Sequence, residues 1–303
     1  MNLTHSSGNL GSASGRAAAG CFKRSALAVL AAAILASASW GGAIGPAFGN
    51  SPWSEVEEGL LIGEFDSPLS IEKNPSKITV IKIDPRKFSF RLLCTSELGR
   101  EKLTAREWCE KYNLVAAANA GMFQEDGVTS VGYMKNFSHI NNPRLGRANS
   151  VLAFNPVEPG LPEIRIIDRE CQDFDGLKKK YHTFVQSIRM ISCEQQNVWS
   201  QQSSKWSTLA IGIDAGGNVL LLFTKTPQTV HDFIETLLAL PLDLQSAMYL
   251  EGGPQASLYL SAGKNSVERS GVWEARLDEN SQFQFALPIP NVIGIARKTP
   301  PKS

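Results

Sequence analysis

The chain has 303 residues, 43% of them apolar and 19% charged, an ordinary balance for a folded protein that excludes a disordered, collagenous or low-complexity chain. The formal net charge is +1 and the 30 basic residues are spread along the sequence, so no nucleic-acid partner is expected.

Residues 1–49 stand apart from the rest. Arg16, Lys23 and Arg24 are unopposed by any acidic residue there, and the apolar run Ser25 to Ala38 follows them. A positive segment, a short apolar stretch and then small residues form the pattern of a secretory signal peptide, with Ala36-Ser37-Ala38 as an A-x-A cleavage site and Ala47-Phe48-Gly49 as a poorer one. The run is shorter than the ~20 residues a spanning helix needs, which favours export with cleavage over stable membrane insertion. The expected organisation is a signal peptide and leader over 1–49 and a single domain over 50–303, periplasmic or secreted. Removing 1–49 leaves a net charge of −2 and four cysteines, Cys94, Cys109, Cys171 and Cys193. An even number in an oxidising compartment suggests disulfides. Four cysteines allow three pairings; Cys94 with Cys109 and Cys171 with Cys193 close the shortest loops, and Cys171–Cys193 is the favoured bridge.

Residues 50–57 read as a short extended lead-in. Ser76 to Pro85 alternates apolar and polar residues and predicts a strand, with Phe88 to Cys94 as its antiparallel partner. Thr104-Ala-Arg-Glu is a capping-box pattern opening a helix whose Trp108 and Tyr112 share a face. Leu114 to Asn119 is a small-residue strand ending near Gly121. Ser150 to Phe154, Ile164 to Ile167, Phe184 to Met190 and Ser207 to Asp214 are further strands, and Ala215 to Asn218 is a hairpin turn into Val219 to Thr224. Thr229 to Leu240 is a helix with Val230, Phe233, Ile234, Leu237 and Leu238 on one face. Ser246 to Leu250 and Val292 to Ile295 complete the set. Strands outnumber helices and most connections look antiparallel, so the class is α+β: a mostly antiparallel or mixed sheet flanked by a few helices.

Four segments carry residues that packing alone does not require. Asn119, ending an apolar strand just before Gly121, fits either a turn or a hydrogen-bonding group beside closely approaching backbone. In Gln186-Ser187-Ile188-Arg189 the arginine fits either a solvated sheet face or an anion receptor, since its planar fork bonds phosphate or carboxylate. Asp214 suits the hairpin turn first and a second carboxylate only weakly. Glu251, at the exit of an apolar strand and followed by Gly252 and Gly253, fits either a β-bulge or turn with a solvated carboxylate or a carboxyl whose pKa burial raises, with backbone open to a ligand. No metal and no cofactor is expected. His5, His139, His182 and His231 form no i, i+3 or i, i+4 pair, and G-x-S-x-G, H-E-x-x-H and P-loop motifs are missing.

Taken in order, these segments resemble a family. Asn119-Ala-Gly121-Met-Phe123 with Val131-Gly-Tyr133, then Gln186-Ser-Ile-Arg189-Met190, Gly212-Ile-Asp214, Leu250-Glu251-Gly252-Gly253 with Ser257-Leu-Tyr259, and Pro290-Asn-Val-Ile-Gly294 are similar to the elements of the phosphodiester glycosidases. The resemblance runs from about Ile78 to Ile295. It departs at one point: the family pattern usually has Asp-Gly-Gly where this chain has Glu251-Gly252-Gly253, which moves the carboxylate by about one C–C bond, and ~1 Å of misplacement can cost on the order of a hundredfold in rate. The resemblance implies a hydrolase for a sugar-1-phosphodiester in an envelope glycan or glycolipid. Glu251, Arg189, Asn119 and Asp214 would be catalytic; Gly121, Gln186, Gly252, Gly253 and Ser257 would bind substrate. The alternative is a non-catalytic envelope protein that binds a phosphorylated glycan or cell-wall fragment in the same cleft.

Overall fold

The computed structural model describes residues 51–68, 77–99, 101–263, 265–274 and 286–298, all within one compact unit, Gly49–Ser303. The expected signal peptide and its cleavage sites lie outside the described residues. The chain begins with β1 (Trp53–Glu57), β2 (Leu60–Asp66), β3 (Lys77–Ile83) and β4 (Phe88–Cys94). Helices α1 (Thr95–Leu98) and α2 (Ala105–Tyr112) precede β5 (Ala116–Asn119), β6 (Met134–Asn136), β7 (His139–Asn142), β8 (Ser150–Pro156) and β9 (Ile164–Asp168). Then come α3 (Phe174–Lys178), β10 (Tyr181–Ser187), β11 (Arg189–Ile191), β12 (Trp206–Asp214) and β13 (Val219–Gln228). The last helix, α4 (Val230–Ala239), leads to β14 (Leu244–Gly252), β15 (Ser257–Ala262), β16 (Asn265–Ser270) and β17 (Asn291–Arg297).

Both longer helices form where the local chemistry dictates. At α2 the Thr104 hydroxyl accepts the Glu107 N–H at 3.3 Å and the Glu107 carboxylate accepts the Thr104 N–H at 2.8 Å, a complete capping box. At α4 the Thr229 hydroxyl accepts the Asp232 N–H at 3.0 Å, and Val230, Phe233, Ile234 and Leu237 form the buried face. None of the described helices is long and apolar enough to cross a membrane.

Among the described residues the strands form three antiparallel sheets: a seven-stranded sheet in the order β1-β2-β3-β13-β12-β14-β11, and two five-stranded sheets, β7-β6-β10-β8-β9 and β16-β15-β5-β17-β4. Their inner faces meet in one apolar core, to which the first contributes Ile81, Leu209, Phe223 and Leu250, the second Leu152, Phe154 and Val185, and the third Leu92, Ala118, Leu258 and Ile293. Burying each large side chain of this kind contributes ~1.5–3 kcal/mol. A helix covers each outer face: α4 packs on the seven-stranded sheet, α2 against Ala117, Tyr259 and Val292, and α3 against Tyr181 and Phe184. The molecule is therefore α+β and mostly β, as the sequence implies.

Three expectations are corrected. Strand β4 does not pair with β3. It pairs with β17 in another sheet, because β2, which the sequence did not reveal, and β13 occupy both edges of β3. The single strand expected over Phe184 to Met190 is two strands in two sheets, with the chain crossing at Ile188. Cys171 and Cys193 form the favoured disulfide, but Cys94 and Cys109 are free, buried thiols whose pKa burial pushes up to about 12.

Candidate active site

The crossing at Ile188 brings separate motifs to the end of β14. The Ile188 carbonyl accepts the Tyr249 N–H at 2.9 Å, and Arg189 lies opposite Met248 in the β11–β14 ladder. From the other side, Asn119 at the end of β5 clamps the turn that follows β14. Its Oδ1 accepts the Ser257 N–H at 2.8 Å and its Nδ2 donates to the Gln255 carbonyl at 3.1 Å. Just beyond it, Gly121 holds φ at +102°, a conformation that favours glycine, with the Val185 side chain alongside.

Glu251 occupies a β-bulge. It lies opposite Leu209, while Tyr249 lies opposite Ala210, which leaves Leu250 as the extra residue. The extra residue reverses the alternation, so Glu251 shares the inner face of Leu209 and Gly252 the outer one. The carboxyl is 5% exposed; one oxygen accepts the Gly252 N–H at 3.0 Å and Oε2 has no partner. Burial raises its pKa to about 7 against the opposing effect of that N–H. Neighbouring Tyr249 is pushed up as well, by burial first and by the Glu251 charge second. The buried Ser187 and Thr208 hydroxyls likewise lack partners. Thr208 lies opposite Gly252, and the β11–β14 register carries Ser187 alongside Leu250.

The other expected residues are engaged within the protein. The Arg189 fork is filled: Nη1 donates to both Asp168 oxygens at 3.0 and 2.9 Å, and Nη2 to Glu170 at 2.6 Å. Gln186 is saturated, accepting from the Tyr133 and Gly146 N–H groups and donating to the Gly146 and Ala148 carbonyls. Ser257 donates its hydroxyl to the Gln255 carbonyl. Asp214 sits at the other end of β12, five residues and roughly 16 Å from the position opposite Glu251. There it pairs with Lys82 at 2.7 Å and accepts from Asn218; burial pushes its pKa up, but these partners outweigh it and hold the carboxyl below its ordinary value. Asn119, Glu251, Gly252, Gly253 and Ser257 thus lie at one strand end, joined by the Asn119 clamp, whereas Gly121 stands beside Val185 and Gln186 is bonded to the Tyr133, Gly146 and Ala148 backbone. Arg189 lies on the adjoining strand with its fork engaged elsewhere, and Asp214 is remote.

Gly252 and Gly253 are glycines for a reason not visible in the sequence. A Cβ on Gly252 would lie 2.0 Å from the Tyr249 hydroxyl and 2.5 Å from the Trp206 ring, and one on Gly253 2.7 Å from Trp273. The chain's own aromatic side chains press on this backbone. Nothing local in the sequence neighbourhoods of Tyr249, Trp206 and Trp273 signals this convergence. Among the described residues Asp168, Cys171 and Cys193 group as metal ligands would, but the disulfide takes both sulfurs out of that chemistry.

Comparison with known proteins bears on this arrangement. A family model described as phosphodiester glycosidase matches residues 112–296. Among solved structures, the chain is similar to the catalytic domain of zebrafish N-acetylglucosamine-1-phosphodiester alpha-N-acetylglucosaminidase, with a TM-score of 0.54 and 12% identity over 79% of this chain and 82% of that one. It is also similar to a hypothetical protein from Synechocystis, with a TM-score of 0.52 and 14% identity over 78% of this chain and 62% of that one. No curated protein sequence gives a match.

Proposed function

The chain belongs to the phosphodiester glycosidase family, and on that footing we propose that it is an exported hydrolase of a sugar-1-phosphodiester in an envelope glycan or glycolipid. The observation that carries this reading is the Glu251 carboxyl: buried, with a pKa raised to about 7, one oxygen unpartnered, and at the strand end where the family's motifs meet.

The bond broken joins the anomeric carbon to a phosphate oxygen. A phosphate monoester is a weak base, so it departs with the bonding electrons and needs little protonation. The harder demand is the oxocarbenium-like carbon and the water that attacks it. Ionised Glu251 meets both: its charge stabilises the developing cation and it takes the proton from water as the new C–O bond forms. A carboxyl with a pKa near 7 is matched to that task at neutral pH. Asn119 contributes by fixing the turn after Glu251. Export is supported by the leader pattern over 1–49 and by the Cys171–Cys193 disulfide.

One observation favours a second reading, binding of a phosphorylated glycan without turnover. Arg189, the cation expected to meet the departing phosphate, is neutralised by Asp168 and Glu170. Incubating the purified protein and Glu251→Gln with a synthetic N-acetylglucosamine-1-phosphodiester separates the two. Sugar released by the native protein and not by the variant supports hydrolysis. Binding by both proteins with no sugar released supports the second reading.

A further inference from the structure

We propose that Trp206, Tyr249 and Trp273, laid against the Gly252–Gly253 backbone, form a subsite that stacks the apolar face of a pyranose ring. The inference rests on reading this end of the molecule as a site for a sugar phosphodiester. It adds a subsite on the face of β14 opposite the Glu251 side chain, for a pyranose of the substrate other than the one whose glycosidic bond Glu251 acts on.

The two tryptophans form a corner. Their ring centroids are 6.0 Å apart with planes at 74°, and the two residues are joined by a β-bridge between the start of β12 and the segment after β16. The corner is fixed in place. The Trp206 Nε1–H donates to the Tyr249 hydroxyl at 3.1 Å, so the indole's polar group is satisfied and its faces remain for apolar contact. Tyr249 is itself buried against Trp199, 5.5 Å between centroids. Trp273 is 45% exposed, whereas Trp108 is 1% exposed. A tryptophan held outward by this much structure is not serving the core.

The rim decides what class of ligand fits. Lys205 and Glu274, the immediate neighbours of Trp206 and Trp273, form an ion pair at 3.3 Å with both side chains about half exposed, 45% and 53%. Apolar ring faces bordered by a charged donor and a charged acceptor match a ligand with C–H groups on one face and hydroxyls around its edge. A purely apolar peptide would desolvate that ion pair and offer it no hydrogen bonds in return.

The test is tryptophan fluorescence titration of the purified protein with methyl α-N-acetylglucosaminide, and separately with inorganic phosphate. The expected result is that Trp273→Ala weakens sugar binding about tenfold, as loss of one stacking surface implies, while Trp273→Phe retains most of it. Phosphate binding should be unaffected by either substitution, and Glu251→Gln should still bind the sugar. A thermal melt of each variant confirms folding. Unchanged sugar affinity in Trp273→Ala, or failure of the native protein to bind the sugar, overturns the subsite. Sugar binding that depends on Trp273 in a protein that releases no sugar from the phosphodiester keeps the subsite and removes only the hydrolase reading.

Discussion

Asn119 and Ser257 are 138 residues apart in sequence, yet the Asn119 side chain accepts the Ser257 N–H at 2.8 Å with both residues buried. Together with the bond to the Gln255 carbonyl, this ties β5 to the turn following Glu251. Asn119→Ala leaves the buried Ser257 N–H without its acceptor, while the Gln255 carbonyl keeps the Ser257 hydroxyl, and burying one such unpaired donor costs ~1–3 kcal/mol. Urea denaturation should show a loss of about 2 kcal/mol. Asn119→Asp keeps the acceptor for Ser257 and should lose less. Equal stability of the alanine variant and the native protein would remove the clamp.

Arg189 carries the opposite expectation from the one its sequence context suggests. An anion receptor on a strand could be removed at little cost to folding. Here Asp168 is 3% exposed and receives two of the three Arg189 hydrogen bonds. Arg189→Ala leaves a buried carboxylate without its cation, and breaking such a pair typically costs ~3–5 kcal/mol. The double variant Arg189→Met/Asp168→Leu should recover much of that loss in the same denaturation experiment. A single variant as stable as the native protein would show Arg189 to be free for ligand after all.

Some of this was legible in the sequence and some was not, and the boundary is physical. The α2 capping box, the α4 face and the β12–β13 hairpin depend on residues within a few positions of one another, so the sequence contains their whole cause. The pairing of β4 with β17, the Asp168 and Glu170 partners of Arg189, and the rings pressed on Gly252 and Gly253 are made across long sequence separations. Alternation shows that Phe88 to Cys94 is a strand, but not which sheet takes it. The motif order located the strand end that holds Glu251. It did not show that Gln186 is saturated, because the Gly146 and Ala148 groups it binds lie in a loop with no pattern of its own.

Glu251 also makes stability depend on pH, with a definite sign. Its folded pKa, about 7, lies above the unfolded value near 4.5, so the native state binds more protons between these limits. The contribution is fully present below about pH 4.5 and is lost as pH rises to about 7. The span corresponds to ~3 kcal/mol at most. Comparing native protein and Glu251→Gln by denaturation at several pH values should show this decline only in the native protein. Parallel curves would mean that the carboxyl titrates normally.

The cysteines divide into two kinds. The Cys171–Cys193 bridge closes a loop of the size for which a disulfide contributes ~3 kcal/mol, and Cys171→Ser/Cys193→Ser should lose about that much. In the chain from residue 50 onward, Cys94 and Cys109 should resist a thiol reagent while the protein is native and react only after denaturation. Four reactive thiols in a denatured, unreduced sample would contradict the pairing.

The most direct test of the account is the pH profile of kcat/KM for release of sugar from a synthetic N-acetylglucosamine-1-phosphodiester. With Glu251 acting in its ionised form, the rate should rise with pH through an apparent pKa of about 7 and level off above it, and Glu251→Gln should show no such limb. A profile that is flat across this range, or one that the glutamine variant reproduces, would contradict the assignment of Glu251 as the group that acts on the glycosidic bond.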